Sequence, residues 1–269
     1  MSRLGAALPS EDKEAKPAAV RSEGYESRSR PAWALTLYPE AGEAGGCLRR
    51  TRRDASTGRS GPSNPDRSKA EAARRARGQI RRYCAANRLN RLGTLTYAGR
   101  GCHDPRELRR DAGGFFKDLR IGLGGKRLAY VWVPEWHPGG HGLHVHFAVG
   151  RFIKRGLIDD AWGRGHVHIK LLGDLPVGSG TLEESRLSGR YLAKYAAKAM
   201  EDERRVAGLH RYEVAQNFQP ASIECYGPTA DQAIESASRY MGRAPATVWL
   251  SSSIEDWGAP PSCWAAWND

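Results

Sequence analysis

The stretch Glu135-Trp-His-Pro-Gly-Gly-His-Gly-Leu-His-Val-His146 restricts the fold of this chain more than any other. Pro138-Gly-Gly140 is a turn. The runs on either side, Leu128 to His137 and Gly142 to Val149, are rich in β-formers, and together they read as an antiparallel hairpin. Side chains alternate faces along a strand, so His144 and His146 point the same way with Val145 behind them. Glu135 lies across the turn on the partner strand. Two imidazoles and a carboxylate on one face can bind a divalent ion, and the nitrogens favour Mn²⁺, Zn²⁺ or a similar ion over one that takes oxygen ligands alone. His137 and His141 flank the turn, and either can replace Glu135 as third ligand. His166-Val-His168 repeats the spacing on a later strand. It lacks a carboxylate just before it on a paired strand, so it reads as a plain sheet face.

The elements around the hairpin follow from periodicity. Arg91-Leu-Gly-Thr-Leu-Thr-Tyr97 reads as a strand. Asp104-Pro105 caps and opens a helix that runs to about Ile121, where Gly122-Leu-Gly-Gly125 ends it. A short helix is expected over 154–163, a strand over Gly165–Leu171, and helices over 183–203 and 229–241. Tyr212–Val214 and Ser222–Cys225 read as short late strands. Hairpins with helices between them predict an α+β domain around an antiparallel sheet.

Charge narrows the partner. The 269 residues carry a formal net charge of +12, which favours a polyanion, either nucleic acid or an anionic membrane surface. Most of the excess lies early, with 19 Lys/Arg against 10 Asp/Glu in residues 1–90. Residues 66–87 read as a basic helix: Asp66 can cap it, Ala70, Ala73, Arg77, Ile80 and Cys84 recur at helical spacing, and Arg74, Arg75, Arg77, Arg81 and Arg82 offer phosphate contacts. Residues 1–65 are rich in Ser, Gly, Pro, Arg and Glu and read as basic and largely disordered, with Trp33–Tyr38 as a strand or docking segment. A folded α+β core is expected over 66–245, and a Trp-rich tail over 246–269 that covers an apolar face or stacks on bases. No apolar run is long enough to span a membrane, and the N-terminus lacks signal-peptide character. The five cysteines have no CxxC spacing, so a reducing, cytoplasmic setting is expected.

A second reactive stretch is Tyr191-Leu-Ala-Lys-Tyr-Ala-Ala-Lys198. On a helix, Tyr191, Lys194, Tyr195 and Lys198 share one face, while Leu192, Ala193, Ala196 and Ala197 can pack inward. The two stretches gain meaning together. A phosphodiester resists nucleophiles because its oxygens repel them, and a cation on those oxygens relieves the repulsion. A tyrosine hydroxyl can then attack, helped by nearby lysine charge, giving a 5′-phosphotyrosine and a free 3′-OH. The ester keeps the bond energy, so rejoining needs no nucleotide, and no GxxxxGK[ST] loop is present.

These residues resemble the HUH endonucleases, and within them the rolling-circle replication initiators of plasmids and phages. Leu92–Tyr97 is similar to the first motif of that family, Leu143–Val149 to its metal motif, and Tyr191–Tyr195 to its tyrosine motif. The resemblance spans roughly residues 68–220. It implies a central five-stranded antiparallel sheet, an RRM-like palm, with flanking helices. It implies that His144 and His146 hold Mn²⁺ or Mg²⁺, with Glu135 as third ligand. It also implies Tyr191 as nucleophile, Lys194 as its positive partner, Tyr195 as the second tyrosine of a two-tyrosine form, and Lys198 beside the DNA. The implied partners are single-stranded DNA at an origin, a host helicase and a polymerase, since no helicase domain follows the tyrosine helix. HUH-type transposases and relaxases share this chemistry. A non-catalytic DNA-binding protein and a zinc hydrolase built on His144, His146 and Glu135 are the readings of other classes.

Overall fold

A computed structural model describes residues 20–21, 32–49, 65–171, 181–201, 204 and 210–268. In chain order the elements are β1 (Val20–Arg21), β2 (Ala32–Tyr38), β3 (Glu43–Arg49), α1 (Pro65–Ala86), β4 (Arg91–Tyr97), α2 (Pro105–Gly122), β5 (Tyr130–Trp136), β6 (Leu143–Val149), α3 (Arg155–Trp162), β7 (Gly165–Leu171), α4 (Thr181–Glu201), β8 (Glu213–Val214), β9 (Ile223–Gly227), α5 (Ala230–Met241), β10 (Thr247–Leu250) and β11 (Ser262–Ala266). The fold is α+β, and its centre is the five-stranded antiparallel sheet expected from the sequence, in the order β7-β4-β6-β5-β8.

The alternation of β4, β5 and β6 sorts this sheet into two different faces. One carries Leu95, Tyr97, Trp132, Leu143, Val145, Phe147 and Val149 against Leu108, Phe115, Phe116 and Leu119 of α2 and Ile158 and Trp162 of α3. The other carries Leu92, Val131, Val133 and Ala148 under Ile80, Tyr83 and Cys84 of α1 and Leu192 and Ala196 of α4. The sheet is thus a middle layer between two pairs of helices. Gly93 is required at its centre. It pairs with Phe147, and a Cβ there would lie 2.2 Å from the Phe147 ring.

A second sheet, β1-β9-β2-β3-β11-β10, has no counterpart in the sequence-based expectation. It places three segments. Ala32–Tyr38 and Glu43–Arg49 form a hairpin within the region expected to be disordered; residues 1–19, 22–31 and 50–64 lie outside the described residues. The Trp-rich tail supplies β10 and β11. The late strand expected over Ser222–Cys225 is present as β9 and pairs with β2. One face of this second sheet buries Leu35, Leu37, Ala44, Cys225, Cys263 and Ala265 with Ala233, Ile234 and Ala237 of α5.

Arginines tie the second sheet to the helices. Arg81 of α1 donates to both oxygens of Glu43, at 3.1 and 3.2 Å, and Arg82 lies 3.5 Å from the same carboxylate. Arg186 of α4, 8% exposed, donates to the carbonyls of Ala41 (3.2 Å), Gly42 (2.9 Å) and Trp267 (2.8 Å). α4 also crosses α1 closely: Ser185, Ser188 and Gly189 are buried, and a Cβ on Gly189 would sit 2.8 Å from the Arg81 Cα. Replacing Arg186 by Met leaves three carbonyls without their charged donor. Arg186→Met is therefore expected to cost about 3–5 kcal/mol of unfolding free energy, read from the denaturant midpoint; a loss under about 1 kcal/mol would mean that the backbone relaxes to find other donors.

Candidate active site

Register aligns the reactive groups across the sheet. His168 of β7, Thr94 of β4, His146 of β6 and Val133 of β5 stand opposite one another in a row. In the next row His166 faces Thr96, and His144 faces Glu135. All these side chains share the face covered by α4. The hairpin turn that brings Glu135 opposite His144 is closed by hydrogen bonds from the His137 N–H to the Gly142 carbonyl (2.8 Å) and from the Gly140 N–H to the His137 carbonyl (3.0 Å). Gly142 has φ +85°, and a Cβ there would meet the Cys102 carbonyl at 2.4 Å, so glycine is needed.

His146 is buried and held on three sides. Its Nδ1 is 3.0 Å from the Thr94 hydroxyl, its Nε2 is 2.7 Å from Oε2 of Glu135, and the Tyr195 ring stacks on it at 3.8 Å between centroids. Thr94 orients this imidazole, a role that β-propensity in the first motif does not reveal. Burial pushes the His146 pKa down, against the pull of Glu135. His144 differs: its Nε2 is buried and has no hydrogen-bond partner. Burial first, then the neighbouring His137, His146 and His141, push its pKa down to about 4. His144 is therefore a neutral imidazole at neutral pH with a free ring nitrogen, which is the state a metal ligand needs.

The other candidate ligands are occupied differently. His137 stacks on His144 at 4.7 Å and its Nδ1 accepts from the Gly139 N–H at 3.1 Å. His141 Nε2 lies 3.2 Å from the Tyr97 carbonyl. Glu135 contacts His146 directly, and its second oxygen accepts from Lys198 Nζ at 3.1 Å. Among the described residues, no three His, Cys, Asp or Glu side chains are arranged as a ready cation centre. Glu135 closes on His146 and Lys198 rather than on a point shared with His144.

The tyrosine helix lies over this row. Leu192 and Ala196 anchor α4 on the sheet, and Tyr191 and Tyr195 pack half-buried beside them. The Tyr195 hydroxyl donates to the Tyr191 hydroxyl at 2.7 Å. Burial, and then the Tyr191 hydroxyl, push the Tyr195 pKa up, so Tyr195 stays protonated and keeps that bond. Lys198 Nζ is 5.5 Å from the Tyr195 ring centre, and Lys170 Nζ of β7 is 5.0 Å from that of Tyr191. Lys194 is exposed on the same helix. The sequence stripe of two tyrosines and two lysines thus divides: the phenols and Lys198 reach the sheet face, and Lys194 faces outward.

The five arginines proposed for phosphate also divide. Arg74, Arg75 and Arg77 are exposed, with Arg75 3.9 Å from Glu71. Arg81 and Arg82 are half-buried and bound to Glu43, and the Arg82 guanidinium lies 4.6 Å from the Tyr38 ring centre. Their structural partner comes from β3, in a segment that reads from sequence as disordered, so the sequence could not assign them.

Residues 90–200, from the start of β4 through the two tyrosines, match the model of a family of replication-associated proteins, the ORF2 type. The match supports a Rep-type, replication-associated protein, and the matched segment contains Glu135, His144, His146, Tyr191 and Tyr195. No curated protein and no solved structure matches the chain. No described helix is long and apolar enough to cross a membrane.

The Thr94 contact predicts a spectroscopic change. With Thr94 and Glu135 on its two nitrogens, His146 should populate one neutral tautomer in a long-range ¹H–¹⁵N spectrum. Thr94→Val, which removes the hydroxyl at constant shape, should give a tautomer mixture; an unchanged single tautomer would assign the orientation to Glu135 alone.

Proposed function

We propose that the protein initiates rolling-circle replication by cutting one DNA strand at an origin and rejoining it through a 5′-phosphotyrosine. The observation that carries this reading is the contact of the two stretches: Tyr195 stacks on His146 while its hydroxyl reaches Tyr191. One phenol resting on a candidate ligand imidazole and hydrogen-bonded to a second phenol is the juxtaposition that metal-assisted tyrosine transfer requires. The family match favours replication over transposition or conjugative transfer, which use the same chemistry.

The residues fit a divalent ion, Mn²⁺ or Mg²⁺, on the strength of the orphaned His144 Nε2 beside a carboxylate. His144, His146 and Glu135 would hold it, with Thr94 fixing His146 from behind, as outer partners commonly fix metal-binding imidazoles. Bound there, such an ion supplies Lewis-acid stabilisation of charge on phosphodiester oxygens. Tyr191 is the nucleophile in this reading. Its oxygen forms a bond to phosphorus as the bond from phosphorus to the 3′ oxygen breaks, and that oxygen leaves with a proton as the free 3′-OH. The Tyr191 proton passes to solvent and solvent returns one to the departing 3′ oxygen, while the hydrogen bond from Tyr195 stabilises the charge that develops on the Tyr191 oxygen. Rejoining reverses these steps. Single-stranded DNA is the substrate, and a host helicase and polymerase supply unwinding and synthesis.

A labelled single-stranded origin oligonucleotide incubated with Mn²⁺ should yield a covalent protein–DNA adduct that EDTA abolishes. Tyr191→Phe should reduce adduct by about three orders of magnitude or more. If Tyr191→Phe cuts normally and Tyr195→Phe does not, the tyrosine roles are reversed; if neither change matters, the mechanism is wrong.

The exposed half of α1 is proposed to contact phosphates. Replacing Arg74, Arg75 and Arg77 together by Ala should flatten the slope of log affinity against log salt by about 2, from roughly 0.7 for each lost single-strand phosphate contact. An unchanged slope would remove α1 from the DNA interface.

A further inference from the structure

The second His-x-His stretch lies on the reactive face. His166, His168 and Lys170 alternate with Val167 and Ile169 along β7; Val167 and Ile169 turn into the core under α2 and α3, which leaves the other three on the face of Thr94, His146 and the tyrosines. All three are exposed. His168 stands in the same row as Thr94 and His146. Lys170 approaches the Tyr191 ring, with its Nζ 5.0 Å from the ring centre. β7 is also the last strand of its sheet, so its outer side is paired with no described strand.

A row of donors ends beside a phenol. Alternate residues on a strand are about 6.7 Å apart, comparable to the step between neighbouring phosphates in an extended single strand. Neutral imidazoles donate one N–H each, and a lysine donates with full charge. The outward face of β7 itself carries no acid that would repel DNA.

We propose that β7 is a phosphate-binding rail, in which His166, His168 and Lys170 hold successive phosphodiesters of the single strand and bring the one beside Lys170 to Tyr191. This rests on the reading of the protein as a single-strand nuclease, and it places the strand along the sheet edge rather than along the exposed side of α4. Lys170 and His168 act here as positioning residues, by holding the substrate at the nucleophile.

The test separates binding from cutting. Full-length protein carrying Tyr191→Phe and Tyr195→Phe is titrated with a fluorescein-labelled single-stranded oligonucleotide of mixed sequence, in EDTA, at several NaCl concentrations. Adding His168→Ala and Lys170→Gln should weaken binding about tenfold and flatten the salt slope by about 0.7, while Lys170→Arg keeps both. Unchanged affinity and slope would overturn the rail, whether or not the wild type cuts DNA. A defect seen with Mn²⁺ but absent in EDTA would also overturn it and make His166 and His168 a cation site. A defect in EDTA combined with no adduct from the wild type would keep the rail and remove the nuclease reading. If the double variant melts early, Lys170→Gln alone, exposed at the sheet edge, carries the same comparison.

Discussion

The guanidinium of Arg186 holds together parts of the chain that are far apart in sequence. It sits five residues before Tyr191 and binds carbonyls from the turn after β2 and from Trp267. A buried cation is tolerated where its charge is paired and its donors are satisfied, and here the Glu183 carboxylate, three backbone acceptors and Asn268 Oδ1 at 3.1 Å do this. The result is that the tyrosine helix is fixed from two sides. Leu192 and Ala196 press it onto the five-stranded sheet, and Arg186 fastens its first half to the second sheet. Gly42 shows how tight this junction is: it has φ +60°, and a Cβ there would lie 2.6 Å from the Trp267 carbonyl and 2.9 Å from Arg186.

At the other end of the reactive face, one carboxylate sets the balance. Glu135 faces an imidazole with one oxygen and an ammonium with the other. The imidazole is buried and the ammonium is largely exposed. The contact with Lys198 is therefore the more easily exchanged of the two, since an exposed ion pair contributes little. In the proposed mechanism this carboxylate takes up a cation with small rearrangement, because His146 is already oriented by Thr94 and His144 is already neutral.

Much of this was legible in the sequence. β4, α2, β6 and β7 fall within two residues of their expected limits, because strict alternation and an Asp-Pro start leave few choices. The placement of His144, His146 and Glu135 on one face follows from the same period of two. What was illegible had partners remote in sequence. Glu-Ala-Gly-Gly-Cys-Leu-Arg, the β3 segment, has no alternation and two glycines, so it reads as loop. It is a strand because Gly45 and Gly46 lie opposite Trp264 and Cys263 of the tail. A separation of 38 residues hid the Glu43 partner of Arg81 in the same way. The place of His166 and His168 on the reactive face is hidden for another reason: their spacing is legible, but the strand order that puts β7 beside β4 is a property of the fold.

The pairing of residues 43–47 with 262–266 has a kinetic side. It closes a loop of more than two hundred residues, and loop closure of that length is entropically costly and slow relative to local contacts. The five-stranded sheet, whose paired residues are at most 83 positions apart in sequence, can assemble first. Arg186 reaches its third acceptor, the Trp267 carbonyl, after the two distant ends have met. A nascent chain on the ribosome therefore carries a tyrosine helix that is not yet fully anchored, and final alignment with the imidazole row waits for the last strand to dock.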